Sequence, residues 1–156
     1  MNDTPTTEVD PLDRIEKSID IAATAEKVFA LVSRPGWWIN DGTAVDPEPD
    51  IRSEDGFTVL THPEYGEFRF ETVASEPPSY VALRCHHDVP DDGKKRSTLV
   101  EFQIEPRAGG GVRLDVIESG FSGLQKPRAD WLQDRENNVR GWDAELEAAR
   151  RFVESG

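Results

Sequence analysis

The hydrophobic and polar positions of this chain follow two different periods, and the change between them divides it into regions. Towards the C-terminus, apolar residues recur at Leu132, Val139, Trp142, Leu146, Ala149 and Val153, in steps of seven, three, four, three and four. That spacing places them on one stripe of a helix. Asp130, Asp134, Glu136, Asp143, Glu145, Glu147 and Arg151 fall on the opposite face. Pro127 suits the first turn, where its missing N–H costs nothing. The pattern predicts one helix over 126–155. A helix of this kind is about 42 Å long at 1.5 Å per residue, longer than a small domain is wide, so it must lie across something, and a sheet presenting a concave apolar face would fit it. Arg135 interrupts the stripe, and a charge there needs a partner or a wet cavity.

Upstream the period is two. Ile15, Ile19 and Ile21 alternate with Arg14, Glu16, Ser18 and Asp20 in a first strand. Lys17 falls on its apolar side, either as a snorkelling side chain or as a cavity cation. Thr24 then caps a short helix, Ala25 to Leu31, which Pro35–Gly36 breaks. The segment Trp37–Trp38–Ile39–Asn40 reads as a second short helical turn. Its adjacent tryptophans point in different directions, so one lines or covers a pocket. Residues Asp41 to Asp50 hold four acids, two prolines and a glycine, a loop composition. From Ile51 to Ser119 the alternation gives about six strands. Short turns separate them at Asp55–Gly56, Pro77–Pro78, Asp92–Gly93 and Gly109–Gly110–Gly111. Consecutive strands joined this way form an antiparallel meander. The fold class is therefore α+β: about six to seven strands, two short helices after the first strand, and a long C-terminal helix.

Composition narrows the function. A chain of 156 residues is one domain by default. Residues 1–11 are polar and lack an apolar signal core, so they read as a disordered tail on a cytoplasmic protein, with a single domain over 12–156. No window approaches the ~20 apolar residues of a membrane span. A net charge of −13 argues against nucleic acid and against anionic membrane surfaces. The single Cys85 excludes an internal disulfide and supplies no metal-ligand cluster. His86 and His87 sit side by side in a strand, and neighbouring strand residues point to opposite faces, so they cannot share one ion. No nucleophile elbow, metalloprotease motif or phosphate-cradling glycine loop is present. Catalytic residues, metal and cofactor are all expected to be absent.

The segments RIEKSIDIAATAEKVFALVS (14–33), WWIN (37–40), ESGF (118–121), and Gly141–Trp142 with Leu146 resemble the SRPBCC (START-related) superfamily. Within it they are most similar to the homologues of the activator of the heat-shock-protein-90 ATPase, which are polyketide-cyclase-like in bacteria. The resemblance runs from about Arg14 to Val153. It implies a helix-grip architecture, in which a curved antiparallel sheet wraps the C-terminal helix and the cavity between them holds an apolar ligand. The superfamily contains carriers, enzymes and chaperone cofactors, so fold alone does not choose among these roles.

Within such a cavity the candidate ligand-lining residues are Trp37, Trp38, Phe68, Phe70, His87, Phe102, Glu118, Phe121, Arg135 and Trp142. Strand parity puts His87 with Val81 and Leu83, and Glu118 with Leu114 and Val116. Helix phase puts Arg135 on the stripe. Glu118 and Arg135 can pair as a polar pole in an otherwise apolar pocket, and His87 beside Glu118 can move a proton. The alternative is that Glu118 and His87 reach water at strand ends and Arg135 sits in an exposed helical turn. The leading expectation is a small-molecule binding protein for an apolar or aromatic, lipid- or polyketide-like ligand. A cyclase or dehydratase using His87 and Glu118 comes second. A protein-binding cofactor with a chaperone partner comes third.

Overall fold

A computed structural model describes residues 10–39, 44–86 and 96–155. The strands are β1 (Arg14–Ile21), β2 (Asp50–Glu54), β3 (Phe57–His62), β4 (Gly66–Glu76), β5 (Tyr80–His86), β6 (Ser97–Pro106) and β7 (Val112–Ser119). Helix α1 (Ala25–Val32) follows β1, a 3-10 turn at Phe121–Leu124 follows β7, and helix α2 is Arg128–Ser155. All seven strands form one antiparallel sheet in the order β1-β7-β6-β5-β4-β3-β2. The meander runs from β2 to β7, and β1 adds beside β7, with Ile15 opposite Glu118 and Ile21 opposite Val112. The sheet is curved, as the helix-grip expectation requires.

Alternation explains which face is covered. Val81, Leu83, Val100, Phe102, Ile104, Leu114 and Val116 are buried on the face that meets the helices. Each sits opposite another member across its strand pair, Val81 with Phe102 and Leu83 with Val100. Helix α1 is capped by Thr24, whose Oγ1 accepts the Lys27 N–H at 3.2 Å. It buries Val28, Leu31 and Val32 in the same core. The α2 stripe completes that core with Trp131, Trp142, Leu146, Ala148, Ala149 and Val153.

Three sequence expectations change in detail. The second short helix is instead a pair of hydrogen-bonded turns, Trp37 N–H to Arg34 O at 3.2 Å and Ile39 N–H to Gly36 O at 2.9 Å. Gly36 adopts φ +77°, which stops a helix from forming there. Leu132 is half-buried while its neighbour Trp131 is buried, so the helix is turned slightly from the phase the apolar residues alone suggest. Glu145, assigned to the solvent face, is buried. Lys17 resolves as a snorkelling side chain, its Nζ 3.2 Å from Asp143 on α2. The tail at 1–9, the loop at 40–43 and His87 with the turn to residue 95 lie outside the described residues.

Candidate functional site

The site begins at Gly36. A Cβ there would lie 2.8 Å from the Phe70 ring and 3.0 Å from Leu60, so only glycine lets the chain pass this close to the sheet. The tight passage sends the two following side chains apart. Their rings are perpendicular, 86° between planes, with centroids 6.0 Å apart. Trp37 enters the core, and Trp38 remains partly open. Trp38 packs on Phe70 at 5.3 Å, Trp142 at 5.5 Å and Phe102 at 5.8 Å. These spacings suit tilted and edge-to-face aromatic contact.

Beside this cluster a cavity of about 320 Å³ opens between α2 and the sheet. Its wall comprises Trp38, Ile39, Phe68, Cys85 and His86 on one side, with Asn138, Gly141, Trp142 and Glu145 from α2. Glu118 of β7 also lines it. Of the candidates read from sequence, Trp38, Phe68, Glu118 and Trp142 meet at this cavity. Trp37, Phe70 and Phe102 are buried core residues that back the wall through their ring contacts with Trp38 or Trp142, and Phe121 is buried in the core; none of the four lines the cavity. His87 lies outside the described residues.

Arg135 is placed elsewhere. Its guanidinium donates to the Arg14 carbonyl at 3.1 and 3.2 Å, tying α2 to the start of β1. The expected Glu118–Arg135 pole is therefore replaced by another arrangement. Glu118 is 5% exposed. Its Oε1 accepts from Trp142 Nε1 at 2.9 Å and from Asn138 Nδ2 at 3.1 Å, and its Oε2 accepts from Thr98 Oγ1 at 3.0 Å. Burial pushes the Glu118 carboxyl above the ordinary carboxylate range, while the three hydrogen bonds work in the other direction. The Cys85 thiol is pushed up to about 12, first by burial and then by the charge of Glu118. It is a neutral wall atom, not a nucleophile. Glu145, 7% exposed, is a second buried carboxylate on the same cavity.

The α2 residues of this wall, Asn138, Gly141 and Glu145, are the ones sequence reading missed. Positions 138, 142, 145 and 149 are separated by four, three and four residues and share one face. The signal was present as polar residues at core phase, which the apolar stripe passed over. Among the described residues, no three His, Cys, Asp or Glu side chains gather as a metal-ligand group. No described helix is long and apolar enough to cross a membrane.

No protein-family model matches the chain, and no curated protein matches it. Solved structures do share its fold. Protein MLL2253 of Mesorhizobium loti superposes with a TM-score of 0.67 at 17% identity, over 91% of this chain and 97% of that one. The Aha1 dimer from Colwellia psychrerythraea gives 0.63 at 16% identity, over 90% and 96%. DynU16, from the dynemicin biosynthetic locus, gives 0.62 at 17% identity. It is covered over 92% of this chain and 48% of its own length, so this chain spans about half of it. At such identities the likeness shows the fold alone, a curved antiparallel sheet gripping a long C-terminal helix, and leaves the role to the site.

Proposed function

We propose that this helix-grip chain is a binding protein that holds a small ligand with an aromatic or apolar body in the cavity between α2 and the sheet. The observation that carries this reading is a coincidence of two stability costs on one wall. A glycine in the middle of a helix costs about 1 kcal/mol relative to alanine. A carboxylate taken out of water carries a further penalty even when hydrogen-bonded. Gly141 and Glu118 both line the same cavity. A Cβ at Gly141 would meet nothing within 4 Å, so packing does not require glycine there. Features that weaken a fold without a packing reason are expected where function needs them. The rest of the wall, Trp38, Phe68 and Trp142, is of the kind that small-molecule pockets use, and about 320 Å³ falls at the low end of their usual size.

The test uses prodan, an uncharged naphthalene dye whose emission shifts in apolar surroundings. The wild-type protein is expected to bind it saturably. Gly141→Leu projects a side chain into the open space and should abolish binding while the melting temperature holds or rises. Equal dye affinity in the two proteins would overturn the cavity as the binding site. A protein-binding cofactor of the chaperone-activator type is a second reading, favoured by the Aha1-like fold. The acid–base reading depends on His87, which lies outside the described residues.

A further inference from the structure

A groove between α1 and the last turns of α2 shares no residue with the cavity described above. Its volume is about 230 Å³. It is lined by Lys27, Ala30, Leu31 and Arg34 from α1 and the turn that follows, and by Phe152 and Val153 from α2. Leu31 and Val153 are buried, whereas Ala30 and Phe152 are open to solvent. The lining holds two cations and no carboxylate, on a chain with 31 acidic residues against 18 lysines and arginines. Among the described residues the Lys27 ammonium forms no ion pair. The Arg34 guanidinium donates to the Asp46 carbonyl at 2.6 Å. Burial lowers that guanidinium below its ordinary value, and the charge of Asp46 offsets the shift only in part. Arginine carries five N–H donors, so Arg34 can still serve a further acceptor.

We infer that this groove docks an acidic amphipathic helix of a partner protein, with two carboxylates on Lys27 and Arg34 and an apolar side chain between them against Leu31 and Phe152. Lys27 and Arg34 are seven residues apart, two helical turns, which is about 10 Å along the axis at 1.5 Å per residue. Acidic residues seven positions apart on a partner helix have the same separation, and the positions midway between them face the same way. A ligand with a single carboxylate would meet only one of the two cations. Phe152 and the methylene stem of Lys27 supply the apolar contact. The net charge of −13 opposes an acidic partner at a distance. The Debye length is about 8 Å at physiological salt, so at contact the two cations of the groove decide the sign.

The probe is a synthetic alanine-based helical peptide with two glutamates seven positions apart and two leucines midway between them, labelled and read by fluorescence anisotropy at physiological salt. A control peptide has glutamine in place of both glutamates. The full chain is expected to bind the acidic peptide saturably and at least fivefold tighter than the control. In Lys27→Glu that order should reverse, and in Phe152→Ser both peptides should weaken at least threefold. Both side chains are exposed, so the melting temperature should hold in each variant. Absence of binding, equal binding of the two peptides, or binding that neither variant changes overturns the assignment. If the acidic peptide fails while dodecanoate binds and is lost in Phe152→Ser, the groove takes a fatty carboxylate and the inference falls. A dimer in sedimentation that Phe152→Ser dissolves gives the groove to a second copy of the chain and overturns it equally. Prodan binding reads the other cavity, so it stands or falls separately.

Discussion

The two halves of α2 face the same sheet and are built on opposite terms. In the C-terminal half, Leu146, Ala148, Ala149 and Val153 are buried in one continuous core with Val28, Leu31 and Val32 of α1. Small alanines let the helix lie close. In the middle of the helix, the same face presents Asn138, Gly141 and Glu145 to a cavity. The apolar stripe alone does not distinguish these regions. What separates them is where the helical phase calls for an apolar side chain and finds amide, glycine or carboxylate instead. The first half shows how the fold is held, and the second shows where stability has been set aside.

Trp142 stands at the junction and should give the largest effect. It is 4% exposed, packs on Trp38 and Phe102, and donates to Glu118. Trp142→Ala removes a core aromatic and leaves the carboxylate short of a donor, so a loss of about 3–5 kcal/mol is expected in urea unfolding. A loss below about 1 kcal/mol would contradict its placement. Ala149→Leu probes the dry half alone. Ala149 is fully buried, so added methylenes should cost about 1–3 kcal/mol through overpacking. Prodan affinity should stay unchanged, because the strain arises away from the cavity. A variant that lost dye binding in step with stability would show that the two halves are coupled.

Glu118→Gln sharpens the comparison through pH. The folded-state pKa of Glu118 is raised by burial. Its contribution to stability is therefore fully present below the ordinary carboxylate value, about 4.3. That contribution is lost as pH rises through the folded-state value. Glutamine has no such titration and can still accept from Trp142 and Asn138. The variant should accordingly gain in melting temperature relative to wild type as pH increases from about 4. Glu145 faces the same cavity and Cys85 stays neutral over this range, and both are common to the two proteins. A difference in melting temperature that does not vary with pH would mean that Glu118 is not held in a desolvated site.

How much of this was legible beforehand follows from where sequence carries periodic information. The sheet was readable because each strand alternates over several residues, as Val100, Phe102 and Ile104 do against Glu101, Gln103 and Glu105. The long helix was readable for the same reason. Glu118 was a candidate because strand parity puts it on the face of Leu114 and Val116, and it is buried there. Its partners were not found. Parity says which face a residue shares and nothing about which helix residue arrives opposite, and a shift in helical phase of one position exchanges Leu132 for Trp131. Arg135 shows the same limit, since a long side chain near the helix start reached the Arg14 carbonyl at the sheet edge rather than the carboxylate. The tryptophan pair was half legible: adjacency implied divergence, and Gly36 decided which ring went inward.

The smallest effect separates two glycines, Gly36 beneath the tryptophan pair and Gly141 on the cavity wall. At Gly36 the backbone is in the left-handed region and a Cβ would press on the Phe70 ring, so Gly36→Ala should destabilise by more than about 1 kcal/mol. At Gly141 the backbone is helical and open space surrounds the Cβ position. Gly141→Ala should therefore stabilise, by about 0.4–1 kcal/mol, through better helix propensity and a less flexible unfolded chain. Its methyl group would project from a residue that lines the cavity, so prodan affinity should fall modestly while stability rises. Opposite signs for stability and binding in one residue are what a binding role predicts for Gly141. If alanine there raised stability and left binding untouched, the glycine would have no part in the site, and the case for the cavity would stand on Glu118 alone.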